Sequence, residues 1–143
     1  MPVLLDTDHL SVLEWEEQPA CNRLLERLDR LSPDDIATSI VSFHEQAQGC
    51  LVYLKRSSKA EEIVRAYLKL ENIWRWFLKM NVISYTAQAQ VRFAELRPRC
   101  RRLKTMDLRI ASIALVTDST LLTRNLRDFR QVPGLSVEDW TTI

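Results

Sequence analysis

Only two of the 143 residues are glycine and only two are histidine. Two glycines leave no room for a G-x-G-x-x-G dinucleotide fingerprint or a phosphate-cradling P-loop. Two histidines argue against a His-rich zinc site. Cysteine is scarce too: Cys21, Cys50 and Cys100 are odd in number and share no metal-ligand spacing. They read as free thiols in a reducing compartment, so a cytoplasmic location is expected. No apolar run approaches the roughly 20 residues that cross a bilayer, and no basic stretch precedes an apolar one at the amino end. Neither a membrane span nor a secretory signal is expected. Charge of one sign is also missing, with 20 Lys and Arg against 19 Asp and Glu, a net +1. The chain as a whole is not a polyanion binder, and any basic surface must be local.

What is present is ordinary for a globular chain: 46% apolar and 27% charged residues. That is enough for one domain with a real core, covering 1–143. No internal repeat, low-complexity tract or linker interrupts it. "PVLL" reads as a short buried strand that stops at Asp6. A helix is expected over about Asp8 to Glu16 and another from about Ala20 to Arg30, where Leu24, Leu25, Leu28 and Leu31 recur at helical spacing. "SPDD" is a turn. "IATSIV" is a β-branched strand, followed by a helix through "SFHEQAQGCLVYL" with Ser42 and Glu45 at capping-box spacing. Ser58 and Glu61 repeat that spacing before a long helix whose apolar stripe is Ile63, Tyr67, Leu70, Ile73 and Phe77. "NVISY" is a strand and "TAQAQVRFAELRPR" a helix ended by Pro98. "MDLRIASIALVT" is apolar almost all round, so a buried helix should begin near Asp107. "TLLT" and "GLSVEDW" are the last strands. Strands alternate with helices throughout. The fold class is therefore α/β, with a central, mainly parallel sheet flanked by helices on both faces.

In such sheets ligands bind beyond the carboxyl ends of the strands. Asp6 lies there, and Glu45, Asp107, Asn125 and Asp128 also fall at element boundaries near that face. Carboxylates without cysteine or histidine ligands suit a hard cation, Mg²⁺ or Mn²⁺. A cation held this way can orient water for in-line attack on a phosphate. Crowded carboxylates imply either such a cation or raised pKa values. Each acid has a plainer reading. Asp6 could close a turn, Glu45 could belong to a capping box, and Asp107 could simply favour a helix start. Asp8 reads better as a helix cap than as a ligand. Asp128 could pair with Arg124 or Arg127.

Four stretches together resemble the PIN-domain family, and within it the VapC-type toxin ribonucleases. "LLDTDHLSVL" is similar to the family's opening strand, an apolar run ending in D-T-[DNS]. "ATSIVSFHEQAQG" resembles the stretch that carries its glutamate. "LKTMDLRIASIAL" resembles the motif in which an Asp begins a buried helix. "LLTRNLRDFRQVPGLSVEDW" resembles the closing segment. The resemblance spans essentially the whole chain. It implies a PIN-like domain in which Asp6, Glu45 and Asp107 hold Mg²⁺ or Mn²⁺. Many members carry Asp where Asn125 stands; those with Asn usually carry an acid three residues on, as Asp128 is. The implied activity is endoribonucleolytic, hydrolysing phosphodiesters to leave 5′-phosphate and 3′-hydroxyl ends. The implied setting is a toxin–antitoxin pair: a homodimer bound by a VapB-type antitoxin across a groove near the first helices. The apolar residues of Asp8–Arg30 are candidates for that groove, although most of them read as plain core.

"RPRCRRLK" places Arg97, Arg99, Arg101, Arg102 and Lys104 just before Asp107. Arg99, Arg101, Arg102 and Lys104 are candidates to hold RNA phosphates, which dominate nucleic-acid affinity. The plainer reading is a solvated loop. His44 points roughly 100° away from Glu45 on a helix and reads as a surface residue. Trp74 and Trp76, two apart, cannot share a helix face, so one should be exposed. Two rival functions are weaker. A haloacid dehalogenase-type phosphatase would use "DTD" as its nucleophile motif, but Leu10 stands where that motif has Thr or Val and no late Asp pair follows a strand. A non-catalytic PIN-fold module binding RNA or a partner is disfavoured by intact Asp6, Glu45 and Asp107.

Overall fold

The computed structural model describes all 143 residues, Met1–Ile143. In chain order the elements are β1 (Val3–Leu5), α1 (Thr7–Glu14), α2 (Ala20–Leu28), β2 (Ile36–Ser39), α3 (Ile40–Arg56), α4 (Ala60–Leu78), β3 (Val82–Ile83), α5 (Ala87–Leu96), α6 (Thr105–Val116), β4 (Thr120–Leu122), α7 (Leu126–Phe129) and β5 (Val137–Glu138). The strands form one five-stranded sheet in the order β3-β2-β1-β4-β5. Every pairing is parallel. Parallel sheets are covered on both faces, which is why β1 and β4 are buried at every residue. No helix is long and apolar enough to cross a membrane.

The pleat divides the core in two. Leu4 and Leu121 face one side, where α5, α6 and α7 supply Leu96, Leu108, Ile110, Ala111, Ile113 and Phe129. Val3, Leu5 and Leu122 face the other, against Leu10, Val12, Leu24, Leu28, Ile73 and Phe77 from α1, α2 and α4. Each fully buried leucine contributes roughly 1.5–3 kcal/mol. Helix α6 is buried at Leu108 and from Ile110 to Ala114; its one buried hydroxyl, Ser112, donates to the Leu108 carbonyl at 2.7 Å. Cys21, Cys50 and Cys100 are buried free thiols, as expected.

Several local expectations change. Asp8 is not a cap: Asp6 is the N-cap of α1 and accepts from the Thr7 N–H. Ser42 does not cap α3. The helix begins earlier, and Ser39 caps it by accepting from the Ser42 N–H at 3.1 Å. The β-branched run therefore ends as strand at Ser39, and Ile40 and Val41 are helical. Helix α4 is capped one residue later than Ser58, with Glu62 accepting from the Lys59 N–H at 3.4 Å. Its stripe is also rolled. Ala66, Ile73 and Phe77 are buried, while Ile63 and Tyr67 are exposed. Trp74 is exposed and Trp76 packs on the core.

Candidate active site

The chain starts in the middle of the sheet. It builds outward through β2 and β3, then returns to add β4 and β5 on the other side. The order reverses between β1 and β4, and a crevice forms beyond the carboxyl ends there. Leu5 and Leu122 are paired across that junction. The next residues, Asp6 and Thr123, therefore emerge side by side. The Asp6 N–H donates to the Leu122 carbonyl at 2.9 Å, and the Thr123 hydroxyl donates to Asp6 Oδ2 at 2.8 Å.

The other acids arrive from separate elements. Glu45 sits on α3, just after β2, and its Oε1 accepts from the Thr7 hydroxyl at 3.0 Å. Asp107 lies in the first turn of α6. Asp8 lies in the first turn of α1. Its Oδ2 accepts from the Thr123 hydroxyl at 3.2 Å and the Arg124 N–H at 2.9 Å, and its Oδ1 is 2.9 Å from His9 Nδ1. Asp128 accepts from the Asn125 side-chain amide at 3.0 Å and pairs with neither Arg124 nor Arg127.

These carboxylates feel one another. Asp6 is only 6% exposed. Burial, then the charges of Asp8 and Asp107, push its carboxyl up to about 7, against the lowering effect of Thr123 and Thr7. Burial also raises Glu45, with Asp107 adding to the effect and the Thr7 hydrogen bond opposing it. Asp107 is raised by burial and by Asp128 and Asp8, while Lys104 lowers it. No ion pair neutralises Asp6, Glu45, Asp107 or Asp128. Asp6, Asp8, Glu45, Asp107 and Asp128 thus form one electrostatic cluster, and Asp107 is its common neighbour. Asn125 joins it only through Asp128 and through its N–H to the Thr123 hydroxyl at 3.1 Å.

The donors are carboxylate and hydroxyl oxygens with no thiolate among them, which suits a hard divalent cation in charge and in chemistry. As the side chains stand, no three of them are grouped to hold an ion directly. Of the basic run, Lys104 is the N-cap residue of α6 and is close enough to lower both Glu45 and Asp107. Arg99, Arg101 and Arg102 are exposed, and none pairs with the acids. Arg97 is structural: its guanidinium donates to the Arg101 and Leu103 carbonyls at 2.8 and 2.7 Å and shapes the loop before α6.

The sequence matches the PIN domain over residues 3–135. The chain belongs to the PIN-domain family. Among relatives, Ribonuclease VapC1 of Haemophilus influenzae (strain R2866) is 26% identical over 99% of both chains. Ribonuclease VapC2 of Rickettsia felis is 30% identical over 66 residues, 43% of this chain; that match spans about half the length of the relative, 49%. Among solved structures, VapBC-1 from nontypeable Haemophilus influenzae superposes with a TM-score of 0.78 at 22% identity, over 99% of this chain and 100% of that one. That likeness is one of fold, and the parallel sheet between helices is its shared PIN architecture.

The sequence reading missed Thr7, His9 and Thr123, and assigned Asp8 to a cap. A threonine beside an acid carries no signal of its own. It becomes legible only once β1 and β4 are known to be neighbours.

Proposed function

We propose that this PIN-domain chain is a divalent-metal-dependent endoribonuclease and the toxin of a VapBC-type pair. The observation that carries the reading is the acid cluster at the β1–β4 crevice, with buried Asp6 unpaired by any basic side chain. Burying like charges without a counter-charge is costly, and a bound cation relieves that cost. Similarity to Ribonuclease VapC1 along nearly the whole chain supports the ribonuclease reading.

Asp6, Glu45 and Asp107 would hold Mg²⁺ or Mn²⁺, with Asp8 beside them. When bound, the cation supplies Lewis acidity toward a phosphodiester and toward the attacking water. The chain's own work is positional. Thr123 and the Thr7 N–H fix Asp6, and the Thr7 hydroxyl fixes Glu45. Asn125 holds Asp128 at the edge of the cluster, where either side chain can orient a water. Lys104, with Arg99, Arg101 and Arg102 on the adjoining exposed loop, would receive the flanking RNA phosphates.

The partner is a VapB-type antitoxin, as in the VapBC complex that the fold resembles. Leu10, Leu24 and Leu28 are core and Leu13 packs on it, so of the apolar residues of the first two helices Leu25 and Trp15 are the ones left exposed for its groove. A cleft of about 390 Å³ between α1, α3 and α4, with exposed Trp15 at its edge and Tyr53 and Ile73 in its wall, fits an apolar partner segment better. The homodimer and the cytoplasmic setting belong to the same reading.

The test is incubation of the partner-free chain with total bacterial RNA in Mg²⁺, in Mn²⁺ and in EDTA, beside Asp6→Asn, with the ends mapped. Discrete metal-dependent cuts that vanish in Asp6→Asn are expected. A folded chain that binds RNA and cuts none of it in either metal would favour the non-catalytic module.

A further inference from the structure

His9 is the third residue of α1 and is fully buried. A buried imidazole needs a partner on each nitrogen. Nδ1 lies 2.9 Å from Asp8 Oδ1. Nε2 lies 3.2 Å from the backbone nitrogen of Trp140, in the tail beyond β5. A backbone N–H can only donate, so Nε2 accepts and the ring proton sits on Nδ1, donated to Asp8. Asp139 Oδ1 stands 3.6 Å from Nε2, too far for a hydrogen bond, and already accepts from the Thr141 N–H and hydroxyl. The ring is therefore the neutral Nδ1–H form.

The tail that holds the ring is itself anchored. Trp140 is buried with the Arg27 guanidinium 4.4 Å over its ring. Arg124 donates to the Thr141 hydroxyl at 3.0 Å. On the other side, Asp8 is held by the Arg124 N–H and shares the Thr123 hydroxyl with Asp6. A continuous chain of hydrogen bonds thus runs Trp140–His9–Asp8–Thr123–Asp6.

We propose that His9 is a positioning residue, a clamp that joins the carboxyl-terminal tail to Asp8 and, through Asp8 and Thr123, sets the carboxylate of Asp6 for the reaction. The clamp rests on the nuclease reading above. Without the Nδ1 donor, the Asp8 carboxylate is held at Oδ2 alone, by the Arg124 N–H and the Thr123 hydroxyl, and can turn about that oxygen toward Asp6 and Asp107. It would then add like charge or compete for the cation.

Two substitutions separate the two ends of the ring. Asn carries an amide near the place of Nδ1, and Gln near that of Nε2. His9→Asn should keep the bond to Asp8. His9→Gln should keep only the bond to the tail. The assay measures Mn²⁺ affinity by titration, kcat and KM on RNA, and thermal melting. Partners that orient a metal site typically change affinity or activity about 10–100-fold. A loss of that size in kcat and Mn²⁺ affinity is expected for His9→Gln, with KM little changed, and His9→Asn should recover most of it. Losses that are equal in both variants and follow their melting temperatures would overturn the clamp. The second measurement needs no activity: imidazole ¹⁵N shifts of the full metal-free chain at neutral pH. They should show a proton on Nδ1 and a bare Nε2. A proton on Nε2, or on both nitrogens, would overturn the proposal. An unaltered chain that binds no Mn²⁺ and cuts no RNA, yet carries the Nδ1 proton, would overturn the nuclease reading and the catalytic purpose of the clamp with it.

Discussion

Asp6 caps a helix, accepts a threonine hydroxyl and stands beside two further carboxylates. In the unfolded chain its carboxyl ionises near 3.8; in the folded, metal-free chain it ionises at about 7. Between those values the folded state holds a proton that the unfolded state has lost. Stability from this group is therefore full on the acid side and falls as pH rises toward 7. Glu45 and Asp107 are shifted in the same direction and add to the trend. Asn caps a helix as well as Asp does and carries no charge. In EDTA, Asp6→Asn should melt above the unaltered chain near pH 8 and together with it near pH 4, while losing RNA cleavage. Melting curves at the two pH values check this. A variant less stable at the higher pH would show that Asp6 is not held against its own charge.

At the scale of elements, the helix starts show what residue types alone do not settle. Ser42 and Glu45 have capping-box spacing, and so do Ser58 and Glu61, yet neither serine caps its helix. A capping rule reads residue type and offset. Here the pairing of β2 with β3 carries the strand to Ser39, opposite Ile83, so the helix starts there and Ser42 falls inside it, buried. Ser39→Ala should therefore cost about 1 kcal/mol, a fall of roughly 2–4 °C in melting temperature for a chain of this size. Ser58→Ala should leave melting unchanged. Equal effects would contradict the observed start of α3. The same logic explains Asp8: the cap is Asp6, two residues earlier, so a carboxylate inside the first turn looks like a cap. The order of strands and helices was legible because β1, β3 and β4 hold short apolar runs bounded by polar residues, while β2 and β5 mix polar residues in. The roll of α4 was not, because Tyr67 and Ile63 are apolar whether or not anything covers them.

Thr123 belongs to this scale too, since it matters only through the pairing of β4 with β1. Its hydroxyl touches Asp6 and Asp8 and accepts from the Asn125 N–H. Thr123→Val keeps the shape and removes all three contacts. Leaving buried partners unsatisfied costs about 1–3 kcal/mol. A lower melting temperature is expected, with loss of cleavage well beyond the unfolded fraction; activity that merely tracks folding would make Thr123 a packing residue only.

Across the whole molecule, the acids come from the end of β1 and from α1, α3, α6 and α7, elements far apart in the chain. No ion pair within the chain neutralises Asp6, Glu45 or Asp107 and Lys104 offsets the last two only in part, so their mutual repulsion works against the fold and a bound cation would relieve it. A ligand that binds only the folded state stabilises it by RT ln(1 + [L]/Kd), about 2.7 kcal/mol at a hundredfold excess over Kd. For a chain of this length that corresponds to roughly 5–10 °C. Mn²⁺ or Mg²⁺ should raise the melting temperature in proportion to the logarithm of concentration, and EDTA should reverse it. Asp107→Asn should abolish most of the rise, because Asp107 is the acid that Asp6 and Glu45 both feel. Charge reversal of Arg99, Arg101 and Arg102 should leave the rise intact and weaken RNA binding, with a shallower salt dependence of about 0.7 per lost phosphate contact. If instead the metals leave melting unchanged while the arginine variants still lose RNA, the acid cluster is a charged crevice without an ion, and the chain binds RNA by its basic loop alone.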